Sequence, residues 1–253
     1  GHCHRLTTLS AGGIAVISPG ARLEHYVRVR LTADARRPAG ARVLGVDPQV
    51  VAVPDEGVAG PPDPVIIAAA AGWSTKLDAA LGEQIGYAAE GVDQQSAALA
   101  RWITDAWRLE LGTDVGLVNS GAIRQSLPRG PITKSILWSI LPFDNKVVVL
   151  RLRGKDLIAN LEKKSATASG VVKLADGHYR LETGAPIDPD TIYSLATIDY
   201  LYLGGAGYTL HDRAVSVDPA SHDWRDPVIA WTRKQGSTQA APLVLRPPPA
   251  SAP

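Results

Sequence analysis

Apolar residues along this chain recur first at a strand's period and later at a helix's, and the change of period divides it. Ile14-Ala15-Val16-Ile17 is a short apolar run stopped by Pro19-Gly20, and Tyr26-Val27-Arg28-Val29-Arg30-Leu31 alternates, so both read as strands. The stretch from Pro54 to Pro64 carries Gly57, Gly60, Pro61 and Pro62, a linker composition. It ends in Asp63-Pro64, a cap followed by proline in the first turn, which predicts a helix start. Ile66, Ala70, Trp73, Leu77 and Leu81 then recur at steps of three and four toward Gly86, an apolar stripe expected to bridge two bodies.

From about residue 88 the pattern is that of a mixed α/β domain. Leu99, Trp102, Ile103, Ala106 and Trp107 predict a helix stopping near Gly112, and Val115 to Val118 predicts a short buried strand leading into Asn119. A helix from Thr133 to Ile140 is ended by Pro142, whose ring clashes with helical geometry. Val147 to Leu152 reads as a strand and Lys155 to Lys164 as a helix, and two strand-like runs flank the turn at Asp176-Gly177. Ile192 to Leu203 reads as one long strand before a glycine-rich loop, and the proline-rich end from Arg246 to Pro253 reads as loose. Trp73, Trp102, Trp107 and Trp138 sit at helical spacing and are expected in the core. The expected divisions are 1–53, a linker and bridging helix over 54–87, and 88–253, with no internal repeat.

Composition narrows the possibilities only slightly. The 253 residues, 45% of them apolar, suffice for a well-buried core. With 26 Lys+Arg against 25 Asp+Glu, no broad field favours nucleic acid or a membrane surface, so any phosphate site is local. No apolar run reaches the ~18 residues of a spanning helix. The single cysteine, Cys3, precludes an intrachain disulfide. A chain that starts at Gly1 and lacks methionine is expected to be a processed or partial product, with any targeting segment upstream.

Four segments carry chemistry: Gly1-His2-Cys3-His4, Asn119-Ser120-Gly121-Ala122-Ile123-Arg124, Pro142-Phe143-Asp144-Asn145, and Gly204-Gly205-Ala206-Gly207-Tyr208. Residues two apart on extended backbone point the same way, so His2 and His4 can face one metal ion, or can be exposed residues of a ragged terminus. Arg124 offers a planar fork of donors suited to phosphate oxygens, or can be a surface arginine paired with a carboxylate. Phe143, the only phenylalanine, and Tyr200 are either stacking platforms or core anchors. Glycines 204, 205 and 207 either admit a ligand close to the backbone or only make a turn. His25, His178, His211 and His222 lack ligand spacing.

In this order and at these intervals, the segments resemble the C-terminal domain of the 5′-nucleotidase and UDP-sugar hydrolase family over roughly residues 65 to 245. Residues 1 to 53 resemble the last stretch of that family's metallophosphoesterase domain. The resemblance implies a mixed α+β fold of the 5′-nucleotidase C-terminal type, preceded by a β-rich remnant of a calcineurin-like metallophosphoesterase. It implies a substrate site at Asn119, Gly121, Arg124, Phe143, Asn145, Tyr200 and Gly205. By that resemblance Arg124 would be at the phosphate end, Phe143 and Tyr200 would sandwich the base, and Asn145 would reach its edge. It further implies His2 and His4 as metal ligands and two divalent ions (zinc, manganese, cobalt or similar) in a complete periplasmic or secreted phosphoester hydrolase. Its partners would be a nucleotide or other small organic phosphate and an upstream metallophosphoesterase segment. The family's Asp-x-His and Gly-Asn-His-Glu segments are absent from this sequence, so this chain alone is expected to be inactive. It departs from the pattern at Asp93, where an arginine is expected, at Asp144, and at Ala206, which replaces a ribose-binding carboxylate. A degenerate, noncatalytic nucleotide-binding module and a hydrolase of another phosphate or sulfur ester are the alternative readings.

Overall fold

Alternating residues in the N-terminal part form two antiparallel ribbons: β1 (Leu6–Ala11) pairs with β2 (Ile14–Pro19), and β3 (His25–Ala33) with β4 (Val43–Ala52). The computed structural model describes residues 5–12, 14–21, 24–53 and 61–247. His2, His4, most of the linker and most of the proline-rich end therefore lie outside the described residues. None of the described residues from 5 to 53 is fully buried, and Leu9, Ile14, Val16, Leu31 and Val43 are each at least half exposed. Two-stranded ribbons with so little apolar burial contribute little stability of their own.

Helix α1 (Pro64–Leu81) begins as its cap predicts, with the Val65 N–H donating to Asp63 Oδ1 at 2.8 Å. It stops at Leu81, not Gly86, and the chain turns directly into strand β5 (Gln84–Ala88). The apolar stripe buries no residue, and Trp73 is 66% exposed, which corrects its expected place in the core. Helical spacing identifies a face able to pack, yet Ile66, Trp73 and Leu77 stay at least half exposed, with Lys76 Nζ over the Trp73 ring at 4.5 Å from its centroid. The chain divides into two compact units, Gly1–Gly72 and Trp73–Pro253.

The second unit continues with α2 (Ala97–Leu111), β6 (Val115–Asn119), β7 (Gly130–Thr133), α3 (Lys134–Ile140), β8 (Lys146–Arg153), α4 (Gly154–Leu161) and β9 (Ala166–Ser169). It ends with β10 (Val171–Lys173), β11 (Tyr179–Leu181), β12 (Ile192–Ile198), α5 (Asp199–Tyr202), α6 (Leu210–Arg213), β13 (Ser216–Asp223) and α7 (Asp226–Lys234). Its main sheet has the order β13-β8-β12-β6-β9, and only the β12–β6 pair is parallel. β5 pairs with β7, and β10 with β11. Ser96 caps α2 through its Oγ, and Gly112 closes it in the left-handed conformation. The five apolar residues that predicted α2 are all buried. Each such large side chain contributes roughly 1.5–3 kcal/mol of transfer free energy. α2 lies close over the sheet because Gly116 has no side chain: a Cβ there would fall 2.3 Å from the Thr104 carbonyl oxygen.

The long strand expected over Ile192–Leu203 ends at Ile198, where Asp199 Oδ1 accepts the Tyr200 N–H at 2.8 Å and the chain coils into α5. α4 is also shorter than expected, ending at Leu161. β13 gave no period because it carries Pro219 and a register shift between Asp218 and His222. No helix among the described residues is long and apolar enough to cross a membrane.

Candidate functional site

Sheet topology gathers the chemistry at one end. In the parallel pair Ala196 lies beside Gly116, so continuing that register brings Asn119 level with Asp199. In the antiparallel pair Ile198 lies opposite Val147, so β8 begins where β12 ends; β13 also ends there, with Asp223 opposite Lys146. The segments around 120–124, 141–145, 199–208 and 224–225 therefore share one edge, beyond the carboxyl ends of the parallel strands. Open α/β sheets bind ligands at that kind of edge. Asn119, Gly121, Arg124, Phe143, Asn145, Tyr200 and Gly205 all lie on it.

Asn119 is 8% exposed, and its Oδ1 has no hydrogen-bond partner among the described residues. Gly121 fits over it: a Cβ there would lie 3.3 Å from Asn119 Nδ2. Arg124 Nη1 donates to the Gly121 carbonyl at 3.4 Å, and its backbone N–H to that of Ile140 at 2.9 Å. Among the described residues Arg124 forms no ion pair with a carboxylate, leaving most of its donors free. Its guanidinium lies 6.0 Å from the centroid of the Phe143 ring.

Phe143 is 46% exposed and Tyr200 47%, so neither is a core anchor. What holds Phe143 in place was invisible in the sequence. Trp224 Nε1 donates to the Phe143 carbonyl at 2.9 Å, the Trp224 N–H to that of Asn145 at 3.3 Å, and Arg225 Nη1 to that of Leu141 at 3.1 Å. Arg225 is buried, stacks 4.3 Å from the centroid of the half-buried Trp138, and forks onto both oxygens of Asp223 at 2.7 and 2.8 Å. Asp144 turns its fully exposed carboxylate toward Arg225 at 3.5 Å. No periodicity connects Trp224-Arg225 to a loop some 80 positions earlier; a tryptophan and an arginine beside Asp223 were the only signal.

Gly205 serves the site through Tyr200. A Cβ at Gly205 would lie 2.5 Å from Tyr200 Cε2 and Cζ, so its missing side chain makes room for the phenol. Ala206 adopts φ 55°, among the described residues the one left-handed position not held by glycine. Alanine pays a steric penalty there that Asn tolerates better. Ala206→Asn should therefore raise stability by a few tenths to about 1 kcal/mol, read as a higher urea midpoint; an unchanged midpoint would contradict the strain. Asp93 also acts locally, its Oδ1 accepting the Gln95 N–H at 2.7 Å in the turn before α2.

No group of three or more His, Cys, Asp or Glu side chains able to hold a metal comes together among the described residues, and His2 and His4 lie outside them. The described residues do not by themselves fit a dinuclear centre. A cleft of about 460 Å³ lined by Trp102, Trp231 and Leu243 holds none of the residues above.

The second unit is thus a mixed α/β domain with its chemistry at the carboxyl ends of its parallel strands. Residues 74–182 of this unit match the family described as 5′-nucleotidase, C-terminal domain. Protein UshA of Yersinia enterocolitica is 31% identical over 123 residues, 44% of this chain and 22% of that protein. Among solved structures, the 5′-nucleotidase precursor of Thermus thermophilus aligns with a TM-score of 0.73 at 22% identity, covering 98% of this chain and 54% of that one. The sulfate thiohydrolase SoxB of Thermus thermophilus aligns with a TM-score of 0.67 at 15% identity, covering 97% and 48%. These structural likenesses carry the fold. The chain spans about half the length of these two solved chains.

Proposed function

We propose that the α/β unit is the substrate-binding part of a 5′-nucleotidase-type phosphoester hydrolase and grips a nucleotide. The observation that carries this reading is the pair of half-exposed rings, Phe143 and Tyr200, on the sheet edge that also bears an arginine without a carboxylate partner among the described residues. Two aromatic faces suit a planar base, and a free guanidinium fork suits phosphate oxygens. Arg124→Ala is expected to weaken AMP by roughly tenfold or more while changing adenosine little, since charge-assisted hydrogen bonds contribute about 1.5–3 kcal/mol. Calorimetric titration of both ligands checks it; an equal loss for adenosine would place Arg124 elsewhere.

Hydrolysis belongs to the complete protein in this reading, with two divalent ions held by an upstream metallophosphoesterase segment together with His2 and His4, in the periplasm or outside the cell. This chain alone is expected to release no phosphate from AMP at any added divalent metal, and significant metal-dependent release would contradict that division of labour. A second reading, a noncatalytic nucleotide-binding module, is favoured by Ala206, which offers no side-chain acceptor to a ribose. Phosphatase activity of the complete gene product separates the two. A sulfur-ester hydrolase is tested by the same protein on a substrate panel.

A further inference from the structure

On the edge that carries the two rings lies an amide whose orientation is imposed. Asn145 Nδ2 donates to Asp199 Oδ1 at 2.5 Å, and the same oxygen accepts the Tyr200 backbone N–H at 2.8 Å. A carboxylate accepts and cannot donate, so the NH₂ group of Asn145 faces Asp199 and its Oδ1 is the atom left for another partner. The root of the side chain is fixed as well, because the Trp224 N–H holds the Asn145 carbonyl at 3.3 Å. Asn145 is two residues from Phe143, and Asp199 is next to Tyr200, so this pair lies on the edge that carries both rings.

We infer that Asp199 is a positioning residue that locks Asn145 as a hydrogen-bond acceptor, so that the site selects nucleotides whose base carries an amino group at purine C6 or pyrimidine C4, adenine or cytosine, over the oxo bases hypoxanthine and uracil. This rests on the nucleotide reading above. An amino group donates to Oδ1, whereas an oxo group in its place sets acceptor against acceptor, and a free asparagine would flip to avoid that conflict. Asp199 removes the flip.

The test titrates AMP, IMP, CMP and UMP against the whole chain and the variants Asp199→Asn, Asn145→Ala and Phe143→Ala. AMP should bind about tenfold tighter than IMP, and CMP than UMP, the ratio one hydrogen bond of ordinary strength supplies. Asp199→Asn lets the amide turn over and should bring both ratios close to one, as should Asn145→Ala with Asp199 intact. If Asp199 merely supports Tyr200, its replacement weakens all four nucleotides equally and preserves the ratios, which overturns the proposal. Equal binding of AMP and IMP by the wild type, with both weakened by Phe143→Ala, also overturns it while leaving the base site standing. Failure of all four nucleotides to bind removes this proposal and the nucleotide reading together.

Discussion

Arg225→Ala is expected to destabilise the second unit by about 3–5 kcal/mol, the scale of breaking a buried ion pair from one side. The Arg225 side chain is 3% exposed, and its loss leaves the Leu141 carbonyl without the guanidinium donor and the Asp223 carboxylate with only the backbone N–H of residue 225. Burial pulls the Asp223 carboxyl up, but the hydrogen bonds from Arg225 outweigh it and hold the group below its ordinary value. A carboxyl depressed in the folded state stabilises above its unfolded pKa, near 4, and that stability is lost as pH falls through the folded value. The wild type should therefore lose stability on acidification in that range. In Arg225→Ala the guanidinium no longer lowers the Asp223 pKa, and burial is opposed only by the backbone N–H of residue 225 and by Lys146, so the deficit against wild type should shrink as pH falls. Urea unfolding at pH 7 and pH 3.5 checks both statements; a deficit under 1 kcal/mol at pH 7 would show that Arg225 is not the anchor of this loop. Trp224→Phe is the milder companion, removing the donor to the Phe143 carbonyl at about 1 kcal/mol and weakening AMP with it.

The second large effect is on ligand binding. Phe143→Ala and Tyr200→Ala should each cost roughly 1–3 kcal/mol of nucleotide affinity, about 5- to 150-fold in Kd. Because both rings are half exposed, stability should change much less than affinity. Gly205→Ala should weaken the same ligands by displacing the Tyr200 ring against which its Cβ would clash. Thermal melts run beside the titrations distinguish loss of the platform from loss of the fold.

Much of the fold was legible because the buried elements have clean periods. α2, β6 and β8 announce themselves through residues such as Leu99, Trp107, Val118 and Leu150, all of which are buried. The misreadings fall where local cause replaces periodicity. The apolar run through Ile198 continues in Leu201 and Leu203, but Asp199 binds the next backbone N–H and turns the chain. Trp73 has helical spacing yet stays 66% exposed. The candidate residues were readable one by one, from Asn119 to Gly205, because each carries its chemistry in its type. Their support was not readable: Trp224 and Arg225 act through backbone carbonyls at 141, 143 and 145, which no side-chain pattern encodes.

The central claim is that the edge bearing Phe143 and Tyr200 binds a nucleotide between the two rings. Calorimetric titration of AMP into this chain and into the double variant Phe143→Ala/Tyr200→Ala tests it most directly. Saturable binding of one AMP per chain, reduced at least tenfold or abolished in a double variant that still melts cooperatively, is the predicted result. Equal affinity of the two proteins for AMP would contradict it.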